Sequence, residues 1–342
     1  MVSLRRSAPE VKAAASTRAA SATTAKSAQH DDAPIGKFIA VGGTRLHYLD
    51  RGAGTPIVLL HGNGSMIEDF VSSGIIEGVA AGRRVIAFDR PGFGYSERPR
   101  GRAWTPAEQA NLLLDAFSVL GIEQPIVVAH SWGTLVAVSL ALAGGPERVT
   151  GLVLLSGYYY PTPRADAMAM AQAAVMLGAP VVPLIGRLMA AGAVRRAFAP
   201  CAVPAKFTSV YPISRALWPS QIKAVAEEAA MMMGAAQLLS HRYAELTVPV
   251  HLIAGSDDRI VETEKHSALL HRQLANSTFH RVPGIGHMVH HAVPQDVVTA
   301  ITAMCEDRQR SAPVAPPVGE AARQWLHIGE STAAPPREPA TV

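Results

Sequence analysis

Cysteine is nearly absent: Cys201 and Cys305, far apart in the chain, are the only two among 342 residues. That excludes a disulfide framework and any cysteine pair at metal-ligand spacing. Charged residues are also sparse, at 17 %, and aromatics stand at 6 %. The net charge of +4 is confined to residues 1–30, where Arg5, Arg6, Lys12, Arg18 and Lys26 face the single acid Glu10. The rest of the chain is balanced, so a basic face for nucleic acid is not expected. No apolar core of a secretory leader follows the early arginines. The longest uncharged stretch, Ala167 to Gly186, approaches the length of a membrane span. It is mostly Ala and Met and is interrupted by Pro180 and Pro183. It reads as a buried or interfacial lid, with membrane association through it as the minor alternative. No internal repeat is visible.

What is present is apolar: 49 % of the residues are hydrophobic, enough for one large core. Three regions are expected. Residues 1–34 form a basic tail rich in Ala, Ser, Thr and Arg, and residues 309–342 form a Pro- and Ala-rich tail that cannot bury a core. Residues 35–308 form the folded part. A cytoplasmic location is expected, with organelle targeting as the alternative if residues 1–30 act as a transit peptide. The oligomeric state is not legible.

Short apolar runs alternate with helical patterns between residues 38 and 305, which predicts a mostly parallel sheet with helices on both faces. Phe38 to Asp50 reads as two antiparallel strands turning at Gly42-Gly43. Buried strands are expected at 57–60, apolar without alternation, and at 85–88 and 125–129, with further strands at 151–155, 249–254 and 278–282. Thr105, Pro106 and Glu108 predict a helix start with a capping box, and Gly121 its end. Further helices are expected at about 132–143, 262–273 and 294–307. The roughly 90 residues between the strands at 155 and 250 look helical. An insert there sits at the carboxyl end of the sheet, where ligands bind.

Ala129-His130-Ser131-Trp132-Gly133 lies between a buried strand and a helix. Such a turn lifts its central side chain above the sheet and needs small residues two before and two after it. A serine hydroxyl is a poor nucleophile until a base takes its proton. Gly255-Ser256-Asp257-Asp258 and Gly284-Ile285-Gly286-His287 follow the last two strands. The chain order is therefore Ser131, Asp258, His287, with His287 as base and Asp258 holding its tautomer. His130 and His61 read as packing or support residues. His290 and His291 beside His287 suggest a metal, but no carboxylate stands at the helix spacing of zinc sites, so no metal site is expected. Met231-Met232-Met233 reads as core or lid filling. Glu227, Glu228 and Lys265 read as solvated charges.

From about Ile35 to Arg308 the chain resembles the α/β-hydrolase superfamily. His61-Gly62-Asn63-Gly64 matches that family's oxyanion loop, and Asp89-Arg90-Pro91-Gly92-Phe93-Gly94-Tyr95-Ser96 its loop after the fourth strand. The resemblance implies an α/β-hydrolase fold with a mostly parallel eight-stranded sheet and a helical cap at about 160–245. It prefers Asp258 over Asp257, and it implies an oxyanion hole built from the backbone N–H groups of Asn63 and Trp132. It also implies an acyl pocket lined by Asn63 and Trp132, and Tyr158, just after the sixth strand, is a candidate substrate contact. His-x-Trp-Gly with His-Gly-Asn is similar to haloalkane dehalogenases and epoxide hydrolases, which carry Asp where this chain has Ser131. The expected activity is a serine hydrolase acting on a small apolar carboxylic ester or related acyl compound, without metal or organic cofactor. The alternatives are a carbon–carbon bond hydrolase, a proline-iminopeptidase-like peptidase using Asp166, Glu227 or Glu228, a cofactor-free dioxygenase, an acyltransferase, and a non-catalytic ligand-binding member.

Overall fold

The computed structural model describes residues 33–163 and 190–311. The Ala167–Gly186 stretch, Asp166 and nearly all of both tails lie outside the described residues. Residues 33–35 carry no regular element, and every element of the fold lies within residues 36–311.

Eight strands form one sheet: β1 (Lys37–Val41), β2 (Thr44–Arg51), β3 (Pro56–Leu60), β4 (Arg84–Phe88), β5 (Ile126–His130), β6 (Gly151–Leu155), β7 (Val250–Gly255) and β8 (Ser277–Val282). Their order is β1-β2-β4-β3-β5-β6-β7-β8. β1–β2 and β2–β4 are antiparallel and the other pairings parallel. Gly42 and Gly43 turn the first hairpin with φ of 53° and 71°, the doubly left-handed conformation of a tight hairpin turn.

The continuous apolar strands are covered on both faces, as that pattern requires. Val58 and Leu60 point into one core layer with Leu113, Phe117 and Leu135, from α3 (Pro106–Leu120) and α4 (Gly133–Arg148). Ile57 and Leu59 point into the other, with Phe70 of α1 (Ile67–Ser73), Ile76 of α2 (Ile75–Ala80), and Val297 and Ile301 of the C-terminal helix.

The helix ends show where tertiary contacts override local signals. Thr105 Oγ1 accepts from the Glu108 N–H at 3.2 Å, but Glu108 does not complete a capping box: its carboxylate accepts from Arg102 Nε at 2.8 Å. A guanidinium is the stronger partner for a carboxylate. The helix expected from Glu262 begins only at Ser267. Before it, Thr263 donates to Gly255 O at 2.5 Å and the His266 ring takes the Tyr159 N–H at 3.0 Å. These bonds hold 263–266 as turns. The C-terminal helix runs to Ser311, past the expected boundary at 307.

Between β6 and β7 the described residues are helical, as expected: α5 (Ala205–Val210), α6 (Ile213–Ala216) and the long α7 (Pro219–Ser240). α7 buries Gln221, Ala224, Glu228, Met232, Ala236 and Leu239, a stripe at helical spacing. Met232 joins the core while Met233 is exposed. After β7 come α8 (Ser267–Gln273), α9 (Val289–Ala292) and α10 (Pro294–Ser311). No helix among the described residues is long and apolar enough to cross a membrane.

Candidate active site

The site lies at the carboxyl ends of β3, β5, β7 and β8. β5 ends at His130, and Ser131 turns the chain into α4 with φ of 51°. A non-glycine residue there is strained by about 1–3 kcal/mol and must be held by its surroundings. Part of the hold is the Ser131 N–H, which donates to Leu155 O of β6 at 2.9 Å. Gly133 allows the turn to close onto β3: a Cβ there would meet His61 O at 2.5 Å and Leu60 O at 2.7 Å. Gly133→Ala therefore has to part α4 from the β3 end. It is expected to cost about 1–3 kcal/mol of stability in urea denaturation and to lower activity with it.

Ser131 Oγ stands 2.9 Å from His287 Nε2. His287 Nδ1 in turn stands 2.8 Å from Asp258 Oδ2. The other Asp258 oxygen accepts from the N–H groups of Ile260 and Val261, each at 2.8 Å, which fixes the carboxylate. Asp258 and His287 are buried; Asp257 is exposed, and its Oδ1 accepts from Ser256 Oγ. The structure thus brings together the three residues singled out by sequence and places Asp258, not Asp257, at the histidine. Such a chain can move a proton from a serine hydroxyl to an imidazole while a carboxylate steadies the resulting cation.

The His61–Asn63 loop lies against this turn. A Cβ on Gly62 would come within 3.1 Å of Ser131 Cβ. The Asn63 side chain donates to Val225 O of α7 at 3.2 Å. Trp132 is fully buried, and its indole N–H finds no hydrogen-bond partner. Tyr158 is buried too; its hydroxyl donates to Thr162 O at 2.5 Å and its ring lies 4.7 Å from that of His266.

His61 holds the loop from below. It donates from Nδ1 to Gly62 O at 2.8 Å and accepts the Arg90 N–H on Nε2 at 2.9 Å. Burial, then the Arg90 guanidinium, pull its pKa down from 6.5 to about 3. Because the folded value lies below the unfolded one, the stabilisation is complete above pH 6.5 and is lost as pH falls towards 3. At pH 4.5 this amounts to about 2–3 kcal/mol. Urea midpoints should fall from pH 7 to pH 4.5 more steeply for the native protein than for His61→Asn; equal slopes would refute the assignment.

Two features escaped the sequence reading. Glu228 is not a solvated charge: it is fully buried, with Oε1 2.5 Å from Arg90 Nη1 and Oε2 3.1 Å from Nη2. Arg90 also donates from Nε to His61 O at 2.8 Å and from Nη2 to Gly62 O at 2.9 Å. Glu227, by contrast, is partly exposed and pairs with Arg98 at 2.7 Å. The signal was available, since Glu228 falls between Ala224 and Met232 on the apolar stripe of α7. The second feature is Asp69. It meets His291 at 2.7 Å and lies 3.2 Å from His290, supplying from α1 the carboxylate that local spacing lacked. His130 bridges the two regions: its Nε2 donates to the His287 carbonyl at 3.1 Å, and its ring lies 4.7 Å from His287 and 4.4 Å from His290.

Residues 57–300 match the profile of the Alpha/beta hydrolase family. Haloalkane dehalogenase 2 of Mycobacterium tuberculosis is 28 % identical over 270 residues, covering 75 % of this chain and 90 % of that protein. The 2-hydroxymuconate semialdehyde hydrolase of a Pseudomonas species is 36 % identical over 130 residues, 37 % of this chain and 46 % of the relative. Among solved structures, an esterase from Exiguobacterium antarcticum superposes with a TM-score of 0.68 at 19 % identity, over 79 % of this chain and 99 % of the esterase. With the sheet order, the strand-to-helix turn at Ser131 and the family profile in agreement, this chain belongs to the alpha/beta hydrolase family.

Proposed function

We propose that the protein is a serine hydrolase that cleaves an apolar carboxylic ester, or a related acyl compound, through an acyl-enzyme on Ser131. The observation that carries this reading is the chain Ser131–His287–Asp258, with contacts of 2.9 Å and 2.8 Å. His287 takes the hydroxyl proton, Ser131 attacks the acyl carbon, and the backbone N–H groups of Asn63 and Trp132 receive the developing oxyanion. The leaving alcohol takes the proton from His287, and water activated by the same imidazole releases the acid. The helical residues 190–245 act as a lid over the carboxyl edge of the sheet, and Trp132 and Tyr158 contribute to the apolar pocket.

The likeness to a haloalkane dehalogenase does not carry over to the reaction. Serine attacking an alkyl carbon would leave an ether that water does not cleave, whereas attack on an acyl carbon leaves a hydrolysable ester. A second reading, carbon–carbon bond hydrolysis of a vinylogous diketone, draws support from the 36 % identity to 2-hydroxymuconate semialdehyde hydrolase. A chromogenic ester series from short to long acyl chains tests the first reading. Turnover with a pre-steady-state burst and a preference for apolar acyl groups is expected. Inactivity on every ester together with cleavage of a dienol diketone would replace it with the second.

A further inference from the structure

The polar groups behind His287 form a second cluster that ester cleavage does not use. Asp69 of α1 and His290 and His291 of α9 offer one ligating atom each, all within 4.8 Å of one another. Asp69 Oδ1 is the meeting point, 2.7 Å from His291 Nε2 and 3.2 Å from His290 Nε2. The other Asp69 oxygen accepts from Ser65 Oγ at 3.0 Å, which fixes the direction of the carboxylate. All three side chains are essentially buried. His290 Nε2 has only this 3.2 Å approach of Asp69, and its Nδ1 has no partner, although the residue is fully buried. A buried polar side chain that is poorly satisfied is costly, and an ion that is not accounted for is one of its ordinary explanations.

We propose that Asp69, His290 and His291 bind a divalent cation of the zinc class, which staples α1 to the segment after His287. Two imidazoles and one carboxylate are a donor set zinc favours. With metal–ligand bonds of about 2.0–2.2 Å, tetrahedral zinc holds its ligand atoms roughly 3.3–3.5 Å apart. The His290–Asp69 pair is already close to that separation, and the His291–Asp69 pair has to open by about half an ångström or a little more. A small pocket of about 40 Å³, lined by Phe198, Cys201, Pro204, Met288 and His291, lies beside the cluster. The site is separate from the Ser131–His287 pair, with His130 between, so the proposal stands whether or not the protein cleaves esters.

The test uses the full chain, stripped with a chelator and dialysed. Zinc is titrated by calorimetry, cobalt(II) uptake is read by visible absorption, and thermal melts are run with and without zinc. One equivalent of zinc, intense four-coordinate cobalt bands and a melting temperature raised by several degrees are expected. Asp69→Asn and His291→Gln should each weaken binding at least tenfold. Absence of stoichiometric uptake by the native chain overturns the proposal. So does uptake unchanged in both variants, which would place the ion on other histidines. Should either variant fail to fold, the native chain decides alone: six-coordinate cobalt bands, or melting unaffected by chelator, refute the site.

Discussion

Ser131→Ala should reduce kcat/KM on the best ester by about 10⁴- to 10⁶-fold, leaving the residual rate that oxyanion donors and substrate binding give without a nucleophile. The loss should be a pure kcat effect, since the hydroxyl contributes little to ground-state binding. Alanine keeps the left-handed backbone at residue 131, so thermal stability should barely move. Ser131→Gly separates the two properties. Glycine adopts a φ of 51° without the Cβ clash, so this variant should be as inactive as the alanine one yet more stable by about 1 kcal/mol. Asp258→Asn should cost about 10⁴-fold with the fold intact. The asparagine oxygen can keep the Ile260 and Val261 N–H bonds, while its NH₂ group meets His287 Nδ1 and forces the tautomer that cannot accept the serine proton. Retention of activity in Ser131→Ala would end the serine hydrolase reading. Activity lost together with folding would show that the turn at Ser131 is structural first.

The central sheet was legible because its inner strands are buried on both faces: runs such as Ile57–Leu60 and Leu152–Leu155 admit few other environments. Ser131, Asp258 and His287 were legible because each follows a strand of this sheet, Ser131 and Asp258 buried ones and His287 the more exposed β8, so strand order also orders the chemistry. What was not legible depends on contacts between distant segments. Asp69 and His290 lie far apart in sequence, and nothing local to either reports the other. The late start of α8 depends on the His266 ring reaching back to Tyr159, and the incomplete cap of α3 on Arg102 competing for Glu108. Glu228 was misjudged for a different reason. Its charge argues for solvent, but its place on the α7 stripe argues for burial, and the decision rests on Arg90 from the loop after β4.

That ion pair should give the largest stability effect of any side chain outside the core. Arg90 and Glu228 are both fully buried, and Gln109 completes their shell, accepting from Arg90 at 3.1 Å and donating to Glu228 at 3.0 Å. Removing one partner leaves an uncompensated charge in a buried site, so Glu228→Ala should lose about 3–5 kcal/mol of unfolding free energy. Arg90→Ala should lose at least as much, because His61 O and Gly62 O each also lose a donor. The double variant Arg90→Met/Glu228→Leu discriminates stability from positioning. An apolar pair of similar volume removes both buried charges and should recover most of the stability. It cannot hold the two carbonyls of the loop that precedes Asn63, so kcat should stay depressed by about 10- to 100-fold, short of the 100- to 1,000-fold lost when an oxyanion donor is deleted outright. KM should change less than kcat. Full recovery of kcat along with stability would mean that Arg90 serves only to neutralise Glu228. Recovery of stability alone would make Arg90 the link through which α7 sets the geometry of the oxyanion loop.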